Sequence, residues 1–151
     1  MKTITSMLLF FIMALTACKK STDELVQNIS SPSTTHTINL RSELWGYKVN
    51  PPNSSDATGT LTGTLDLNTG MVEFKLNYNR MTPTEAHIHR AYYPDNGPIV
   101  YTIPINGSLL TGSFTVNKDD ANAVANGGYY IDLHSRAFEP GEIRGQIEKV
   151  Q

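Results

Sequence analysis

A single cysteine, Cys18, stands in the 151 residues, so no disulfide within the chain can brace a fold. Stability must then come from packing, unless a metal contributes. Charge is also sparse: 17% of residues are charged, 12 basic against 14 acidic, for a net −2. That balance lacks the clustered basic surface that binds nucleic acid, which argues against such a partner. The longest apolar stretch, residues 7–15, is too short to span a bilayer. There is no nucleophile elbow, no phosphate-cradling glycine loop and no glycosidase-like pair of carboxylates. The length suits one domain and leaves no room for a catalytic domain with a separate partner domain.

What is present divides the chain in three. Residues 1–17 read as a signal peptide, with Lys2 as the positive start and an apolar centre ending in Leu15-Thr16-Ala17 before Cys18. That ending resembles the bacterial lipobox, in which the cysteine thiol receives lipid and becomes the first residue of the mature protein. Cys18 is therefore expected to be an anchor and not a redox centre, with loss of Lys2 making the mature chain one unit more negative. Several acyl chains on one residue hold a protein durably at a membrane, where a single chain binds only marginally. Residues 18–35 are polar and rich in Ser and Thr, as a lipidated flexible tether would be. The expected location is the cell envelope, anchored to a bacterial membrane with the domain on the extracytoplasmic side.

From residue 36 to 151, alternation of period two dominates and predicts one all-β domain. Its clearest run is 71–79, where Val72, Phe74, Leu76 and Tyr78 share one face and Glu73, Lys75 and Asn77 the other. A strand at 58–66 precedes it, joined through Asn68-Thr69-Gly70 with Gly70 in the left-handed position. Further strands are predicted at 36–40, 44–49, 86–91, 99–103, 108–116, 129–134 and 142–150. Asn106-Gly107 predicts a tight hairpin, and Pro140-Gly141 a turn with positive φ at the glycine. A short helix at 119–125 is predicted, capped by Asn117 and stopped at Asn126-Gly127. Eight or nine short strands with regular turns mean a single antiparallel β-sandwich.

Three segments in order carry a family likeness. They are Asn50-Pro51-Pro52-Asn53 through Gly59, then Ala86-His87-Ile88-His89 with Asn96-Gly97-Pro98-Ile99-Val100, then Tyr130 through Ser135 with Pro140-Gly141-Glu142-Ile143-Arg144-Gly145-Gln146-Ile147. Together they resemble the CHRD domain, found in chordin and in exported bacterial proteins, over roughly residues 38–150. The resemblance implies an immunoglobulin-like sandwich, similar in outline to copper/zinc superoxide dismutase. In that enzyme a His-x-His strand and a later strand histidine bind copper, positions that correspond here to His87, His89 and His134. The one other histidine, His36, lies by the tether, so the ligands of a second metal site are lacking.

The residues make a similar case without the family. His87 and His89 are two apart on a predicted strand and leave one face together, while Ile131 and Leu133 inward place Tyr130, Asp132 and His134 on a common opposite face. If the two strands are neighbours, three imidazoles converge, a competent set for Zn(II) or Cu(II). Glu85 and Asp132 are supporting candidates that would orient the rings by accepting the second ring N–H. Arg144, also near the site in sequence, opposes a bound cation but favours an anion on it. The alternative for the histidines is purely structural, polar rings hydrogen-bonded between two strands. Alternation in 142–147 also suits a structural Glu142–Arg144 ion pair at the sandwich edge. Trp45, Tyr92 and Tyr93 are expected in core or hairpin packing, the alternative being that they line a ligand-binding surface.

Three functions follow, of which the simplest is protein-binding by an exposed sheet edge; the other two use the histidines. One is a non-enzymatic lipoprotein that displays a binding or structural domain, carrying a metal on the three histidines and meeting a protein or small ligand. The other is a mononuclear copper redox enzyme acting on superoxide or a related small oxidant, with a nearby arginine drawing the anion.

Overall fold

The computed structural model describes residues 36–151; the predicted signal peptide, Cys18 and the tether lie outside the described residues. The described strands are β1 (Thr37–Trp45), β2 (Thr58–Asp66), β3 (Met71–Asn79), β4 (Glu85–Arg90), β5 (Ile99–Thr102), β6 (Leu109–Thr115), β7 (Asn126–Ser135) and β8 (Phe138–Lys149). Among the described residues one α-helix, α1 (Lys118–Ala125), links β6 to β7. All pairings are antiparallel, in a single sheet of order β5-β4-β7-β8-β1-β2-β3-β6.

Alternation explains why the sheet curls. Leu40 and Leu44 on β1, Leu61 and Leu65 on β2, Val72, Phe74 and Leu76 on β3, Ile88 on β4, Ile131 and Leu133 on β7, and Ile143 and Ile147 on β8 are all buried in one core. Each such side chain contributes about 1.5–3 kcal/mol when taken out of water, so one apolar face cannot stay open. The sheet wraps over it into a sandwich-like, nearly closed barrel, as expected from the sequence. Its two edge strands, β5 and β6, are not hydrogen-bonded to each other. Side chains close the gap instead: Tyr101 of β5 stacks on Phe114 of β6 at 5.7 Å, and both meet the ring of Phe74.

Local signals are obeyed in several places. β2 and β3 have the predicted limits, and Gly70 between them takes φ +73. Asn117 caps α1, its side chain accepting from the Asp120 N–H, and the helix ends before Gly127 at φ +79.

Elsewhere the fold differs from the expectation. The strands expected at 36–40 and 44–49 are one continuous β1, because Ser42 takes an inward position and the alternation runs through it; residues Gly46–Lys48 form a 3-10 turn. Asn106-Gly107 does not close a hairpin: β5 pairs with β4 and β6 with β3, so this segment crosses from one sheet edge to the other. Pro140-Gly141 lies within β8, and the β7–β8 turn is made by Arg136 and Ala137. Gly141 does take positive φ, +130, but in a bulge where the pairing slips between Leu133–Ile143 and Ser135–Phe138.

Candidate metal centre

β4 and β7 are buried on both faces, the outer one as well as the core one. The register explains which side chains share the outer face. His87 lies opposite Asp132, His89 opposite Tyr130 and Glu85 opposite His134, while β8 sets Arg144 across from Asp132 and Gln146 across from Tyr130. The three histidines expected to converge do so. One ligand atom from each of His87, His89, His134 and Asp132 can be chosen so that all four lie within 4.8 Å of one another.

The ring orientations follow from hydrogen bonds on the far side of each imidazole. His89 Nδ1 is 2.8 Å from the Gly97 carbonyl and His134 Nδ1 is 2.7 Å from the Glu139 carbonyl. A carbonyl oxygen only accepts, so both Nδ1 atoms carry hydrogen and donate. That directs each Nε2 into the cluster, where Asp132 lies 3.2 Å from His89 and 3.3 Å from His134. His87 is turned the other way, with Nδ1 inward at 3.8 Å from Asp132 and Nε2 outward at 3.8 Å from Glu85. His87 Nδ1, His89 Nε2, His134 Nε2 and Asp132 Oδ1 are all buried, and none has a hydrogen-bond partner outside the contacts that the cluster makes with itself.

Four such atoms in one place are costly, since a buried polar group left unpaired loses its hydration without return. They match what a tetrahedral cation needs. With metal–nitrogen bonds of about 2.0–2.1 Å, donors at the corners stand roughly 3.3 Å apart; the four ligand atoms lie within 4.8 Å of one another, so small side-chain movements bring them onto one ion. The backbone carbonyls behind His89 and His134 are the outer partners that orient metal-bound imidazoles. The residues therefore fit a divalent ion of the zinc or copper(II) kind.

Electrostatics agrees. Burial pushes the His87 ring below its ordinary pKa and keeps it neutral. Burial also works against charge on Asp132, but the adjoining His134 and His89 rings outweigh it and hold the carboxyl below the usual range. For His89, burial is outweighed by the Asp132 carboxylate and the Gly97 carbonyl, and the pKa rises. The same carboxylate pushes His134 up to about 9. A carboxylate that holds protons on two rings is placed to hold a cation in their stead.

Several supporting roles differ from those expected. Asp132 stands among the candidate ligands themselves, not behind them; the second ring N–H groups it was expected to accept go to main-chain carbonyls. Glu85 is exposed and approaches only His87. Arg144 makes no ion pair with Glu142, which instead accepts from Ser55; the residue is 1% exposed and its guanidinium bonds to the segment 94–96. Trp45, Tyr92 and Tyr93 lie at the surface, with Trp45 stacked on Tyr47.

Two parts of the site were visible in the sequence only as segments of the family likeness, with no role assigned to them. The first is the β8 bulge, which presents the Glu139 carbonyl to His134 and is pinned by Asn53, whose amide donates to the carbonyls of Gly141 and Glu142. Bulges commonly re-aim groups beside functional sites. The second is the segment 94–97, tied to Asn50 by bonds from Asn50 to the Pro94 carbonyl and from Asn96 to the Asn50 carbonyl. The three segments singled out in the sequence thus meet around the histidines.

Fold and site define an antiparallel β-barrel-like domain with a buried three-histidine, one-carboxylate cluster. Residues 40–147 match the family model described as the CHRD domain, more than half of the chain, and the chain belongs to that family. No curated protein matches it.

Proposed function

We propose that this chain is a CHRD-domain lipoprotein of the bacterial cell envelope, held at a membrane through lipid on Cys18, whose domain carries one structural zinc or copper(II) ion on His87, His89, Asp132 and His134. The observation that carries the metal reading is the convergence of four buried donor atoms, none with a hydrogen-bond partner outside the cluster itself. Sequence alone supports the anchor, through the apolar leader and the small residues before Cys18.

Four protein donors fill a tetrahedral set, as structural sites do, whereas catalytic ones keep a position open. Arg144, which a superoxide-consuming centre would use to draw its anion, is committed to loop carbonyls and an aromatic ring. A structural or binding role on the extracytoplasmic side is therefore preferred to a copper redox enzyme. Elemental analysis of the natively expressed chain, with titration of zinc and copper into chelator-treated protein, tests it: one tightly held ion per chain is expected. Protein that purifies metal-free and takes up neither ion overturns the reading.

A further inference from the structure

Arg144 is the largest fully buried side chain among the described residues, yet no carboxylate lies within ion-pair distance of it among them. A buried guanidinium needs its donors satisfied, and here one short loop satisfies most of them. Nη2 donates to the Asp95 carbonyl at 2.8 Å, and Nη1 to Asn96 Oδ1 at 3.0 Å and the Pro94 carbonyl at 3.4 Å. Nε and Nη2 also reach Gln146 Oε1, whose amide in turn donates to the carbonyls of Ala91 and Gly127. Two neighbouring side chains of β8 thus hold the segment 91–96 across the outer face of the sheet.

The same guanidinium lies 3.5 Å over the ring of Tyr130. Tyr130 stacks on His89 at 4.7 Å with the planes 2° apart. Because β4 and β8 flank β7 on opposite sides, Tyr130 is sandwiched between Arg144 and His89. The held loop ends at Gly97, whose N–H donates to the Tyr130 hydroxyl at 3.3 Å and whose carbonyl accepts from His89. Both restraints on the His89 ring, Tyr130 on its face and the Gly97 carbonyl on its edge, are therefore backed by Arg144.

We propose that Arg144 is the positioning residue of the metal centre: it fixes the loop and Tyr130 against His89, sets that ring as the Nδ1–H form and aims its Nε2 at the ion. The role rests on reading the cluster as a metal centre. Simple attraction does not explain the arginine, since a positive charge beside a cation site opposes binding. Lysine cannot substitute, because its ammonium neither stacks flat on a ring nor offers a fork to three loop acceptors.

The test compares wild type, Arg144→Lys and Asn96→Ala, the last removing one exposed loop acceptor without opening the interior. Zinc affinity is measured by chelator competition, and imidazole nitrogen spectra are recorded on metal-free protein at a pH high enough for the His89 ring to be neutral. Wild type is expected to show His89 as the Nδ1–H form. Arg144→Lys should mix the two forms and weaken zinc by about 10–100-fold, the usual effect of losing an outer partner of a metal ligand. Asn96→Ala should move both readouts the same way by less, and it carries the test if Arg144→Lys fails to fold. An unchanged His89 form and affinity within twofold of wild type, in a folded variant, overturn the positioning role alone. Failure of wild type to bind either zinc or copper overturns the centre and the role together.

Discussion

Asp132 is the residue on which the cluster turns, because it faces all three imidazoles from the middle of β7. Asp132→Asn keeps the shape but removes the charge, and zinc affinity is expected to fall by more than about 100-fold, beyond the cost of losing an outer partner; chelator competition measures it. Its effect on the rings also gives a pH dependence. His134 is raised from 6.5 to about 9, so its favourable contact with Asp132 stabilises the metal-free protein fully below about 6.5 and is lost as pH rises through about 9. His87, lowered by burial, is neutral across that window and does not mask the trend. Metal must displace the His134 proton, so zinc affinity is expected to rise between pH 6.5 and 9 while the melting temperature of the metal-free protein falls. A flat affinity over that range would show that the metal displaces no proton from His134 there. At this scale the sequence was informative about faces: alternation put His87 and His89 together, and Tyr130, Asp132 and His134 together. It could not tell ligand from support for Asp132, because that depends on how β4, β7 and β8 are staggered.

Elements place these side chains through contacts distant in the chain. Gly97 shows the constraint: a Cβ there would stand 2.0 Å from the Arg90 carbonyl, a backbone atom that cannot yield cheaply. Gly97→Ala is therefore expected to push the loop off Tyr130 and weaken zinc binding, with loss of the Nδ1–H signal of His89 as the check. A different element serves as control. Removing the α1 cap with Asn117→Ala should cost about 1 kcal/mol in urea unfolding and leave metal affinity unchanged. Strand limits were legible where alternation was clean, as in β2 and β3. The reading failed at Asn106-Gly107 and Pro140-Gly141, because turn chemistry is local while strand pairing is decided by the whole sheet. Arg144 departs from the expected edge ion pair for the same reason: alternation puts it on the face of Glu142, but its partners come from a loop about fifty residues earlier.

The whole domain gains from the ion by mass action. At a free zinc concentration 100 times the dissociation constant, the folded state is favoured by about 2.7 kcal/mol, and the melting temperature should rise by roughly 10 °C. Scanning calorimetry with zinc and with chelator is the measurement, and coincident curves would remove the ion from the account. The contact between β5 and β6 adds a further property. Along that line rings touch, but no amide ladder joins the two strands, so the cylinder has one place where it can unroll while its other pairings stay intact. Amide exchange in β5 should accordingly run ahead of that in β7 and β8. The strand next to β5 is β4, which bears His87 and His89, so unrolling past it would carry two donors away from the other two. Ion release and the opening of the cylinder would then be a single event.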